Sequence, residues 1–194
     1  LFLLDELIAE PEFREHHSIE VAAPQARAYD AARRLTGLEA RVLGPAATLR
    51  ALPTVARHPR TLGPQVVRAA LGARSKPVID QLLDAGFVLL AERPGREIVV
   101  GVVGRLWTLT DTAPVALDGR DAFLGFSEPG NAKAALNLAV GPAAGGSLVV
   151  TDTRAVTTSP DAHRAFDRYW RATLAPAAAI RRSWLRAIRR RAEG

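Results

Sequence analysis

The chain has no cysteine and no methionine, and only two of its residues are lysine. It also lacks any apolar run near the roughly 18 residues that a bilayer-spanning helix needs. Without cysteine there is no disulfide framework, no thiolate nucleophile and no thiolate metal site, so nothing favours secretion. Four scattered histidines give no metal-ligand spacing, and neither a metal nor a cofactor is expected. The stretch Gly141-Pro142-Ala143-Ala144-Gly145-Gly146 reads as a hairpin turn, not a phosphate loop. No strand-to-helix serine elbow is present to build a Ser-His-Asp set. The opening Leu1-Phe2-Leu3-Leu4 is too short for a signal-peptide core and runs into Asp5 and Glu6. A start at Leu1 suggests that a few residues precede it. The expectation from these absences is a cytoplasmic protein with no transmembrane segment.

What is present fits one domain. A chain of 194 residues, 48% of them apolar, is long enough to build a sizeable core, burying about 70% of its unfolded surface. Of the 26 basic residues only Lys76 and Lys133 are lysine, the arginine and alanine bias of a GC-rich bacterial coding sequence. The net charge of +6 lies wholly in residues 160–194, where nine arginines face Asp161, Asp167 and Glu193. Such a basic end can bind phosphate-rich or acidic partners. Cations near a helix C-terminus are also favourable without any partner, and no aromatic–basic interleaving or nucleic-acid motif accompanies them. Nucleic acid is therefore disfavoured, and a solvated face is the simpler reading.

Periodicity organises the chain. Residues 16–21 alternate, with His17, Ile19 and Val21 on one face, and Pro24 opens a helix at a first-turn position. Residues 36–75 carry Pro45, Pro53, Pro59 and Pro64 among short helical pieces and read as a helical insert. A helix over 78–85 ends at Gly86. From Phe87 the period changes to two: strands are expected at 87–93, at 97–109 with bends at Gly101 and Gly104, and at 122–127. Two further strands, 133–140 and 147–157, flank the Gly145-Gly146 turn. Ser159-Pro160-Asp161 then starts a helix running almost to the C-terminus. Phe166, Trp170, Thr173, Ala177, Ile180, Trp184 and Ile188 make its apolar stripe. Pro176 predicts a kink or short break near Thr173.

Three clusters carry a resemblance. They are Phe13-Arg14-Glu15-His16-His17-Ser18-Ile19 with Ala23-Pro24; Phe123, Phe126 and Pro129-Gly130-Asn131-Ala132-Lys133; and Thr151-Asp152-Thr153-Arg154 running into Phe166, Tyr169 and Trp170. With this element order the chain resembles uncharacterised bacterial members of the START-like (SRPBCC, helix-grip) superfamily. The resemblance covers roughly residues 12–192 apart from the insert. It implies an α+β fold: a curved antiparallel sheet of about six or seven strands wrapped around a long C-terminal helix, with a helical insert after the first strand. Residues 1–194 would form a single START-like domain enclosing a cavity between sheet and helix. No catalytic residue carries over.

The candidate ligand-binding residues are His17, Trp107, Phe126, Asp152, Arg154, Phe166, Tyr169 and Trp170. His17 shares a face with Ile19 and Val21; it reads as a hydrogen-bonded core residue or as an acid–base group. Asp152 and Arg154 share a strand face with Leu148, Val150 and Val156. If that bulkier face meets the helix, the pair is a buried anchor for a ligand head group; if it is convex, both are solvated. Trp107 is a cavity wall or a sheet-packing residue. Phe123 and Phe126 differ in strand parity, so only one can face inward. The leading expectation is binding of a small hydrophobic or amphipathic molecule. The alternative is a cyclase- or aromatase-like enzyme with His17 and Asp152 in one pocket. A third reading is a module that binds acidic partners through the arginine-rich end. Whether any reaction is catalysed, and the oligomeric state, stay open.

Overall fold

A computed structural model describes residues 2–40, 75–108 and 113–194. The elements in order are α1 (Leu3–Leu7), β1 (Phe13–Val21), α2 (Gln25–Arg33), α3 (Val78–Asp84), β2 (Val88–Arg93), β3 (Glu97–Gly104), α4 (Gly119–Gly125), β4 (Ala132–Ala143), β5 (Gly146–Thr157) and α5 (Pro160–Glu193). The strands form one antiparallel sheet in the order β1-β5-β4-β3-β2. The class is α+β, a five-stranded open sheet with a long C-terminal helix. Most of the expected 36–75 insert lies outside the described residues.

The strand count is lower than expected because residues 122–127 do not form a strand. Residues Gly119–Gly125 are helical instead. A short apolar segment does not carry enough period to separate helix from strand. Phe123 lies within this helix and Phe126, in extended conformation, is the residue that ends it, and both join the same apolar cluster. Strand parity had allowed only one. The third strand also stops early, at Gly104, and the chain turns with Thr108 N–H donating to the Arg105 carbonyl. Trp107 is therefore beyond the sheet, where it packs with Leu106 on the Phe13–Phe166 cluster.

β3 is buried along its whole length, as its Ile98-Val99-Val100-Gly101-Val102-Val103 run requires of a strand covered on both faces. Gly101 is needed for packing: a Cβ there would meet Leu90 Cδ1 at 2.4 Å and Phe123 at 3.0 Å. Gly146, at φ +145°, lets the β4–β5 hairpin pass Val21, whose carbonyl oxygen would lie 2.3 Å from an added Cβ.

Register sorts the side chains into two faces. Directly opposed residues share a face, and the pairs His17↔Thr151, Leu136↔Thr153, Val140↔Val149 and Ile98↔Leu138 put these residues on one side. That side is covered by α5 and α2, with Val149, Trp184, Leu185 and Ile188 in its core. Glu97, Val99, Asn137, Asp152 and Arg154 take the opposite side, which α1 and α4 cover.

Helix α5 starts as its sequence demands. Ser159 Oγ accepts from Ala162 N–H at 3.3 Å and Pro160 occupies the first turn. Of the expected kink or short break, the break is absent: the helix runs for 34 residues with Pro176 inside it. Near this point Thr173 Oγ1 donates to the Tyr169 and Trp170 carbonyls at 2.9 and 3.3 Å.

Candidate functional site

α5 is seated at two places. Phe166, 1% exposed, packs edge-on against Phe13 with ring centroids 4.9 Å apart. Trp184, wholly buried, anchors the helix five turns later among the core residues of α2 and the sheet. Between them Tyr169, Trp170, Thr173, Ala177 and Ile180 are only half-buried, because the sheet beneath them does not fill the space. Its floor there is small: Gly104 and Ala134, with Val102 and Leu136 beside them. The result is a cavity of about 310 Å³, closed on another side by Leu82, Ala85 and Phe87 of the α3 end and by Leu106 and Pro114.

The polar side chains that bear on this mostly apolar hollow include the charged Glu15, Arg105 and Arg181, with Thr153 and Thr173 beside them. Glu15 is buried and its Oε1 lies 2.8 Å from His17 Nε2. Arg181 lies with its guanidinium carbon 4.4 Å from the centre of the Trp184 ring, a cation–π contact. Burial pushes its pKa down to about 10, with the charge of Glu15 opposing the shift, so it is a cation at neutral pH. Burial raises the Tyr169 phenol, against the Thr173 hydroxyl, and keeps it protonated. Arg181 Nε, Trp184 Nε1 and Thr151 Oγ1 are buried on this face with no hydrogen-bond partner among the described residues.

The candidate residues fall into three groups. Phe166, Tyr169 and Trp170 line the cavity together. His17 is on the same sheet face but reaches the cavity only through Glu15, and Trp107 stands behind Phe166 at 6.3 Å between ring centroids. Phe126, Asp152 and Arg154 are on the far face of the sheet and take no part in the cavity. Phe126 follows the C-terminus of α4, where Lys133 Nζ donates to the Leu124 and Phe126 carbonyls at 2.9 and 3.2 Å.

The placement of Asp152 and Arg154 corrects both expectations for them. They do not face α5, and they are not solvated: they are 1% and 4% exposed. The cover is α1. Arg154 donates to the Ile8 carbonyl at 2.8 Å, to Asp5 Oδ1 at 2.6 Å and to Asp152 Oδ2 at 3.2 Å. Asp152 also receives Arg14 Nη2 at 2.7 Å and Nε at 3.1 Å. Asn137 joins this cluster to Glu97, accepting from Asp152 N–H at 2.8 Å and donating to Glu97 Oε1 at 2.7 Å. Glu97 in turn accepts the Leu3 N–H at 2.6 Å and the Leu4 N–H at 3.3 Å. A five-residue helix is thus held at its N-terminus by a carboxylate and at its C-terminus by a guanidinium, each matched to the orphan groups there. These contacts hold α1 against the sheet.

The arginine-rich end is also partly absorbed. Arg191 Nη1 pairs with Glu39 Oε1 at 2.6 Å, and Arg190 donates to the Glu39 carbonyl at 2.9 Å. Ser183 Oγ donates to the Ala40 carbonyl. Arg182, Arg186 and Arg189 are exposed. Arg181 is the residue that sequence reasoning missed by grouping it with them. It is four residues after Ala177 and three before Trp184, on the stripe side of the helix, and that spacing was the available signal.

Among the described residues no cluster of histidines and carboxylates could hold a metal ion, and no helix is long and apolar enough to cross a membrane. No family model, no curated protein and no solved structure matches this chain.

Proposed function

We propose that this chain is a START-like, helix-grip binding protein that holds a small hydrophobic or amphipathic molecule between its sheet and its C-terminal helix. The observation that carries the reading is the 310 Å³ cavity beneath the middle of α5, between the Phe166 and Trp184 seats. A helix fixed at both ends over a floor of alanine and glycine keeps its hollow without collapsing. At about 30 Å³ per small heavy-atom group, such a volume takes a ligand of roughly ten non-hydrogen atoms. Burying ~250 Å² of ligand apolar surface contributes about 6 kcal/mol, a Kd of tens of micromolar before ordering costs.

The cyclase-like alternative has lost its pair. His17 and Asp152 sit on opposite faces of the sheet, His17 opposing Thr151 and Asp152 opposing His16. Binding without chemistry is therefore the reading supported best. Native mass spectrometry of freshly purified protein, with a thermal-shift panel of short lipids and aromatic compounds, tests it. The expected result is a co-purified small molecule or a panel member that raises Tm. A protein that carries nothing and is stabilised by no panel member would overturn it.

A further inference from the structure

We propose that the molecule bound in this cavity is an amphipathic monocarboxylate whose head group pairs with Arg181. The inference rests on the binding reading above and extends it to the chemistry of the ligand.

Arg181 is a cation lining the cavity that feels the charge of Glu15 but makes no direct ion pair among the described residues. Among the described residues no carboxylate lies within ion-pair distance of it, and its one hydrogen bond is a long 3.4 Å contact from Nη2 to Thr153 Oγ1. Its Nε is sealed and unbonded, as is Nε1 of the Trp184 ring on which it stacks. Nη1 also has no acceptor, yet it is not among the sealed atoms, so it is the edge left accessible. A guanidinium carries five donors in a fixed plane, and leaving them unmet in a buried site is costly. On the other face of the sheet the fold pairs its buried guanidinium with charge: Arg154 reaches Asp5, Asp152 and the Ile8 carbonyl.

The charges around the hollow favour an anion. Among the described residues Arg105 and Arg181 line it against one carboxylate, Glu15, which is engaged by His17 Nε2 at 2.8 Å. A cationic head group would meet two arginines, and a neutral one would leave the guanidinium unpaired. A carboxylate offers two coplanar oxygens to a guanidinium edge in a charge-assisted pair. The apolar remainder would lie along Phe166, Tyr169, Trp170 and Ile180.

The test uses matched acid and alcohol probes on the full chain: octanoate with octan-1-ol, and 2-naphthoate with 2-naphthalenemethanol, titrated calorimetrically at one ionic strength. At least one acid should bind ten times more tightly than its alcohol, and the pair that does so separates a fatty from an aromatic acid. In Arg181→Gln that ratio should fall to about one while alcohol affinity is unchanged; Arg181→Lys should retain part of it. Equal binding of acid and alcohol by the wild-type protein would overturn the carboxylate assignment and leave the binding reading standing. If none of the four binds, both fail. The wild-type comparison decides the matter even if the variants do not fold.

Discussion

On the side of the sheet covered by α1, Arg154 meets Asp152, Asp5 and a helix-end carbonyl. On the side covered by α5, Arg181 meets a tryptophan ring and one distant hydroxyl. Both guanidiniums come from neighbouring parts of one hairpin-and-helix unit; Arg154 is buried, whereas Arg181 is half-buried with its Nε sealed. The difference lies in what each leaves unspent. The α1 side is a closed network with backbone N–H groups and carbonyls among its members, so its charges hold the fold. The α5 side has donors without acceptors next to empty volume, and that combination marks recognition more than architecture.

The largest test of this contrast is Asp152→Ala. It strips the shared acceptor from Arg14 and Arg154 at a position that is 1% exposed. Removing one partner of a buried pair costs about 3–5 kcal/mol, to be read from the urea midpoint at unchanged m-value. Octanoate affinity should not change, since Asp152 is separated from the cavity by the sheet. A loss under about 1 kcal/mol would mean that the network is dispensable and that the two faces do not differ as described.

That Asp152 belongs to the fold could not be read locally. Alternation over 147–157 separates the two sets of side chains correctly, and the Ser159-Pro160 start and aromatic stripe mark α5. Deciding which set meets α5 requires knowing that a short helix from the N-terminus, more than 140 residues earlier, covers the other side. No local signal carries that. Residues 122–127 were ambiguous for a different reason: seven helical residues give barely two turns, too few apolar positions to fix a period. Arg181 was legible, because helical spacing places it with Ala177 and Trp184, but its neighbours in the arginine run obscured it.

Filling the hollow is the next test. Ala177→Leu adds three carbons at a half-buried helical position that lines the cavity. Leucine propagates a helix nearly as well as alanine, and the space is empty, so stability should stay within about 1 kcal/mol of wild type. Binding of the tightest acid probe should weaken at least tenfold. An equal loss of stability and binding would show that the wall is packed and that no usable volume exists.

Acid should open the α1 side first. Burial alone would raise the Asp5 carboxyl, but hydrogen bonds from Arg154 and the Phe2 N–H and the Arg154 charge outweigh it and hold its pKa below the usual value. A depressed folded-state pKa means that the carboxylate stabilises the fold above its unfolded pKa of about 3.9 and is lost as pH falls through the folded value. Amide exchange at Leu3–Leu7 should therefore rise below about pH 4, before the β4 and β5 amides lose protection. Simultaneous loss across the sheet would show that α1 is not a separable cover.

The smallest effect tests whether the α5 side really is under-satisfied. Thr151 Oγ1 is buried there without a partner, so Thr151→Val removes a hydroxyl that gains nothing from its site and adds a methyl suited to a strand. A buried, unbonded hydroxyl is a cost in the wild-type protein; its removal should raise stability by about 0.5–1 kcal/mol. The matching change on the other side, Asn137→Leu, deletes an amide that bridges Glu97 and the Asp152 N–H, and should lower stability by about 2 kcal/mol because the Asp152 N–H is left buried and unmet and Glu97 loses one of its three donors. Opposite signs for two polar-to-apolar changes on adjacent strands would establish the contrast energetically. If Thr151→Val instead destabilises, a bound water satisfies the hydroxyl, and the unmet donors of the α5 side narrow to Arg181 and Trp184.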